Sequence, residues 1–167
     1  NYTVTMTDNS GCVATANVAI TQPTALSGTL TPVNVSCNGA CNGTITAAAS
    51  GGTPPYQYSI NGGAYQGPNS FTGLCNGTYA VTIRDANNCT VVLNQAITQP
   101  AILNLTQGTI TPATCGANNG SVTVTPSGGT APYTYTINGG ASQPGATFNG
   151  LPAGTHAVVV TDSRGCT

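Results

Sequence analysis

Charge is almost missing from this chain. Five of its 167 residues are formally charged: Asp8, Asp85 and Asp162, with Arg84 and Arg164. There is no Lys, no Glu and no Trp, where an ordinary soluble domain is about 25% charged. A net charge of −1 gives no field to attract a phosphate backbone or an anionic bilayer, so no nucleic acid is expected as a partner. The residues that coat helix surfaces are equally scarce, while Thr, Val, Asn and Gly dominate; helix is disfavoured and strand favoured. No apolar run approaches the roughly 20 residues of a spanning helix, so no membrane insertion is expected. The chain opens on Asn1 without an initiator Met or a signal-peptide pattern, as expected of an internal fragment or a mature chain.

The inventory for catalysis is as thin. His156 is the only histidine, and each carboxylate stands far from the next in sequence, so neither a Ser/His/Asp constellation nor an acid/base pair can be assembled. No enzyme activity, catalytic residue, metal or cofactor is expected.

What the chain does have is repetition. Tyr2-Thr-Val-Thr-Met-Thr-Asp8-Asn-Ser-Gly-Cys12 returns as Tyr79-Ala-Val-Thr-Ile-Arg-Asp85-Ala-Asn-Asn-Cys89, then as His156-Ala-Val-Val-Val-Thr-Asp162-Ser-Arg-Gly-Cys166. The spacing is constant, since 89 − 12 = 77 and 166 − 89 = 77. A period of this size means an array of small domains. Expected divisions are 1–23 as the last part of one repeat, 24–100 as a complete repeat, and 101–167 as a second repeat lacking its last strand. The chain thus reads as a window on something longer. His156 occupies the place of Tyr2 and Tyr79, an aromatic corner position with a polar tip.

Seven cysteines in so uncharged a chain point to a secreted, disulfide-bonded protein. Aligning the repeats, Cys41 and Cys75 have disappeared together from the second, at Asn118 or Asn119 and at Pro152. Cys37 and Cys89 have counterparts in Cys115 and Cys166. Paired loss argues for a Cys41–Cys75 bridge, with Cys37–Cys89 and Cys115–Cys166 as the recurrent one. Cys12 matches Cys89, so its partner is expected upstream of residue 1.

Short apolar and Thr-rich runs separated by turns predict strands at 26–36, 43–50, 56–60, 64–66, 69–72, 78–84 and 90–98. Asn61-Gly62-Gly63 marks a tight hairpin, and Tyr79, Val81 and Ile83 alternate with Ala80, Thr82 and Arg84 as on a sheet with one wet face. Seven or so strands in about 77 residues predict an all-β fold of tandem Ig-like antiparallel sandwiches, with a barrel as runner-up. The Leu74-to-Tyr79 stretch is the kind of corner where a Tyr hydroxyl meets backbone. Junctions at Gln22-Pro23 and Gln99-Pro100 contain no Gly/Ser spacer, which predicts modules end to end in a semi-rigid rod.

Asp8, Asp85 and Asp162 each start a turn and are expected to accept its N–H groups; the functional alternative is a weak Ca²⁺ ligand, poorly served by one carboxylate. Arg84 and Arg164 flank these turns, either as solvated local charges or as a module–module contact, the former being favoured. Tyr56, Tyr58, Tyr65, Tyr133 and Tyr135 bracket the hairpins. Any that face outward would stack on sugars, while alternate ones must be core, and which are which stays open. The Asn-x-Ser/Thr triplets at Asn34, Asn42, Asn76, Asn88 and Asn104 are incidental in this composition.

The set Cys37-Asn-Gly-Ala-Cys41-Asn-Gly, Gly51-Gly52-Thr-Pro-Pro-Tyr56, Gly73-Leu-Cys75-Asn-Gly77-Thr-Tyr79, Asp85-Ala-Asn-Asn-Cys89 and Ile97-Thr-Gln-Pro100 resembles the SprB repeat of large Bacteroidetes surface proteins. The resemblance implies an extracellular filament or adhesin stalk, exported by type IX secretion and in some members serving gliding motility. Expected partners are neighbouring repeats or copies of the chain in a fibre, and surface polysaccharide. Residues 13–22 have the form of a last strand without a module, and would complete a neighbouring copy. The competing reading is a carbohydrate-binding accessory of a secreted enzyme.

Overall fold

The computed structural model describes residues 1–167. It is all-β, with thirteen strands in five antiparallel sheets and no helix. A first hairpin joins β1 (Tyr2–Thr7) to β2 (Val13–Val18). Its side chains are exposed throughout.

The next six strands build one sandwich. β3 (Ser27–Val33), β4 (Gly43–Ser50) and β6 (Ser70–Leu74) form one sheet; β5 (Gln57–Ile60), β7 (Gly77–Arg84) and β8 (Thr90–Ile97) form the other. Period-2 alternation decides the inner faces: Ile45 and Ala47 from β4, Val81 and Ile83 from β7, all 0% exposed. Val35, Tyr58, Phe71 and Ile97 complete that core. Burying such side chains stabilises each by about 1.5–3 kcal/mol relative to exposure.

The second sandwich repeats the plan with β9 (Asn104–Thr111), β10 (Gly120–Ser127) and β12 (Thr147–Leu151) in one sheet, β11 (Tyr133–Ile137) and β13 (Val158–Asp162) in the other. Val124, Tyr135, Phe148 and Val160 form a separate core. The β9–β10 register shifts between Val122 and Val124, where the partners step from Ile110 to Gln107. β9 takes three steps where β10 takes two, and its one extra residue is accommodated there as a bulge. β13 is shorter than β7 because no strand pairs along Gly154–His156 as β8 pairs along Gly77–Tyr79.

The expected strand list changes at the return strand of the hairpin. The return strand at 64–66 reduces to a single bridge between Tyr58 and Gln66, since Gly67 and then Pro68, which has no N–H to donate, cut the ladder short. The hairpin before it has Asn61 and Gly62 at φ 49 and 72, the paired positive torsions of a type I′ turn.

The strands also define two ends of the first sandwich. At the entry end Gly52 N–H donates to Thr24 O and Ala86 N–H to Thr53 O. At the exit end Val35 N–H donates to Thr98 O, Thr98 N–H to Asn34 Oδ1, Gly39 N–H to Gln99 Oε1 and Asn38 Nδ2 to Pro100 O. The Asp85 turn lies at entry and the Cys37 loop at exit, roughly 20 Å apart along strands of this length.

Candidate functional site: the aspartate turn and the module junction

The backbone of the aspartate turn is built the same way three times. Asp85 N–H donates to Cys89 O, and Asn88 N–H to Asp85 O. Asp85 Oδ1 accepts from the N–H groups of Asn87 (2.9 Å) and Cys89 (2.8 Å), and Oδ2 accepts from Thr53 N–H at 3.0 Å. Asp162 takes Arg164 and Cys166 at 2.9 Å each, with Thr130 at 2.8 Å. Asp8 takes Ser10 and Cys12 at 2.9 Å. The turn needs a left-handed residue before the cysteine, supplied by Gly11, Asn88 and Gly165 at φ 84, 64 and 83; Gly and Asn are the residues that adopt it cheaply.

Asp85 and Asp162 are buried, at 4% and 5% exposure. Burial pushes each carboxyl up. For Asp85 the backbone N–H groups of Thr53, Cys89 and Asn87 outweigh it and hold the carboxyl below its ordinary value of 3.8. For Asp162 those of Cys166, Thr130 and Arg164 do the same, assisted by the Arg164 charge. Asp8 is lowered chiefly by the Ser10 hydroxyl. The carboxylates of Asp85 and Asp162 therefore face donors, which a cation would have to displace. This donor set suits a turn anchor and not a calcium ligand.

Because the folded pKa lies below the unfolded one, the stabilisation is present above 3.8 and is lost as pH falls through the lower folded value. The melting temperature should stay level from neutral pH to about 5 and decline under about 4. Thermal melts of Asp85→Asn should show a flatter acid limb than the parent.

The disulfide expected between Cys37 and Cys89 is not formed. Cys37 bonds Cys166, across 129 residues, with Cα atoms 5.7 Å apart; Cys115–Cys166 is excluded with it. The reason is the polarity of the sandwich. Cys37 and Cys89 sit at opposite ends of one module, beyond the roughly 4.4–6.8 Å Cα reach of a disulfide. The entry end of the second module abuts the exit end of the first, bringing the Asp162 turn to the Cys37 loop. Cys41 bonds Cys75, tying the exit loop to the strand corner within the first module. Cys12, Cys89 and Cys115 are free and exposed.

The arginines divide. Arg164 Nη1 donates to Val35 O at 3.4 Å across the junction, so here the module–module contact replaces the expected solvated local charge. Arg84 lies 3.9 Å over the Tyr65 ring and bonds the Gln57 side chain.

The tyrosines are also redistributed from the expected sugar platform. Tyr58 and Tyr135 are core, 8% and 5% exposed. Tyr56 and Tyr133 are half-buried, donating to Gly51 O at 2.7 Å and Gly128 O at 2.6 Å. Tyr65 is covered by Arg84. At the corner, Tyr79 donates to Cys75 O at 3.0 Å. His156 takes the same place: Nε2 bonds Pro152 O at 3.0 Å and Nδ1 bonds Asn138 Nδ2 at 2.9 Å. As Asn138 Nδ2 can only donate, and Asn138 Oδ1 already accepts from Ala157 N–H, Nε2 carries the His156 proton and donates to Pro152 O. Tyr79→Phe should lower stability by about 1 kcal/mol, while Tyr2→Phe, at a counterpart 63% exposed, should leave a urea melt unchanged.

The second module also has a groove of about 600 Å³ lined by Leu105, Ile110, Val122, Leu151, His156 and Val158. It lies where β8 packs in the first module.

Taken together, these features define a structural repeat: two β-sandwiches with separate cores, joined by a cystine and an arginine contact. The SprB repeat model matches residues 29–65 and 107–142, once in each sandwich. Over these two stretches the chain is similar to the SprB repeat, a structural repeat family of Bacteroidetes-type cell-surface proteins and not an enzyme family. No curated protein matches the chain. Its disulfides fit an extracellular protein, and no helix is long and apolar enough to cross a membrane.

Proposed function

We propose that this chain is a segment of a secreted adhesin stalk, in which stacked sandwiches at residues 24–100 and 101–167 provide reach from the cell surface. The observation that carries the reading is the Cys37–Cys166 bond between successive modules, supported by the Arg164–Val35 contact. A cross-link there fixes the joint that a fibre would otherwise flex or part at. Attachment, type IX export and a part in gliding motility follow the family resemblance. Partners in this reading are neighbouring repeats or further copies, with residues 13–22 of one copy seated in the groove beside Val158 of another. Surface polysaccharide would be bound elsewhere, since the hairpin tyrosines are engaged within the modules.

Electron micrographs of the native protein should show thin rods of uniform width that adhere to the producing cells. Globular or freely jointed particles would overturn the stalk reading.

A further inference from the structure

Two of the free thiols occupy the same positions as the two bonded ones, one repeat along. Cys115 stands in the second module where Cys37 stands in the first, after the first strand and before Gly120, the counterpart of Gly43. Cys89 closes the Asp85 turn as Cys166 closes the Asp162 turn. Within one chain the two cannot meet. Cys89 is at the entry end of the first module and Cys115 at the exit end of the second, roughly 40 Å apart for two strand lengths.

We infer that Cys115 and Cys89 are the halves of a second cross-link of the Cys37–Cys166 kind, each made with an adjoining repeat. Cys115 takes the aspartate-turn cysteine of the repeat that follows, and Cys89 takes the exit-loop cysteine of the repeat that precedes. The bonded pair supplies the geometry, with Cα atoms 5.7 Å apart across the junction. The Asp8 turn shows that the presenting element forms without its sandwich: Asp8 N–H bonds Cys12 O at 3.0 Å and Asp8 Oδ1 receives Cys12 N–H at 2.9 Å, although the hairpin packs on no module. The cysteine and not the arginine is the general element of the joint, because Ser10 and Asn87 stand where Arg164 stands.

The partner of Cys115 has one chemistry, a thiol on an aspartate turn, and two sources: the same polypeptide or a second copy of this chain. Bond formation is a two-electron oxidation with a small-molecule or protein disulfide as acceptor. The Cys89-type thiolate attacks it and expels one thiolate; the Cys115-type thiolate then attacks the mixed disulfide and expels the other. Two thiols are oxidised to one cystine, the acceptor disulfide is reduced to two thiols, and the two protons lost from the cysteines end on those thiols.

The inference rests on the end-to-end junction and not on what the stalk attaches to, so the two fail separately. Protein extracted from producing cells into an alkylating agent, then digested without reduction, gives the test. The Cys115 peptide should be linked to an aspartate-turn peptide. A link to the Cys89 or Cys12 peptide identifies a second copy, and a link to an aspartate turn beyond these residues identifies the same polypeptide. In Cys115→Ser protein that one linkage should vanish while Cys37–Cys166 persists. Recovery of Cys115 alkylated, or joined to another Cys115, would overturn the inference.

Discussion

A single chain pulled from its two ends should lengthen by about 330 Å more in Cys37→Ser than in the parent. Tension entering at Asn1 reaches Cys37 and crosses directly to Cys166, so the 129 residues of separation between them are spared. In the variant that segment extends, less the 34 residues that the Cys41–Cys75 bond still closes, at about 3.3–3.6 Å for each residue. Force spectroscopy reads the difference directly. In the chain-entropy model, opening a loop of this length also removes about 5 kcal/mol of constraint on the unfolded chain. Equal contour lengths in the two proteins would mean that the bond does not span the joint.

Replacing Ile83 with Ala should destabilise the first module by about 2–5 kcal/mol. Ile83 is 0% exposed, faces the opposite sheet from near the end of β7, and a Cβ placed on Gly28 would collide with its Cδ1. The neighbouring glycine backbone is thus moulded to this side chain, and the site is poorly placed to collapse after truncation. For a module of this size such a loss lowers the melting temperature by roughly 10 °C or more. The two cores share no side chain, so the effect should stay in one module. Calorimetry of the variant should resolve an early transition while the second module melts as before; one transition moving as a whole would show a single cooperative unit.

Most of the fold is legible in local sequence. Alternation in Thr78 to Arg84 gives β7 and its buried face, because a strand's inner side is set by period 2 alone. Asn61-Gly62 gives the hairpin, and the recurrent Asp and Cys give a turn that forms even in the β1–β2 hairpin. The corner contact of Tyr79 is legible for the same reason, its partner Cys75 lying four residues away. Each of these features is complete within a few residues.

What sequence could not decide is long-range. The paired loss of Cys41 and Cys75 is a statement about two neighbours in space, and it matches the bond formed. The survival of Cys37 and Cys89 is equally compatible with a bridge inside a repeat or between successive repeats, since every repeat carries both. Only the direction of the strands separates the two, by sending Cys37 and Cys89 to opposite ends. Arg164 was ambiguous in the same way, because the Val35 carbonyl it meets belongs to another module. The tyrosines needed the sheet assignment: Tyr58 points inward from β5, while Tyr56, two residues earlier, lies before the strand and turns its hydroxyl to Gly51.

The measurement closest to the centre of this account is the partner of Cys37, found by mass spectrometry of the unreduced, oxidised chain. A peptide joining the Cys37 loop to the Asp162 turn is the predicted result, and marks consecutive sandwiches locked end to end. A peptide joining Cys37 to Cys89 would place both cysteines at one end of a single module and contradict the architecture.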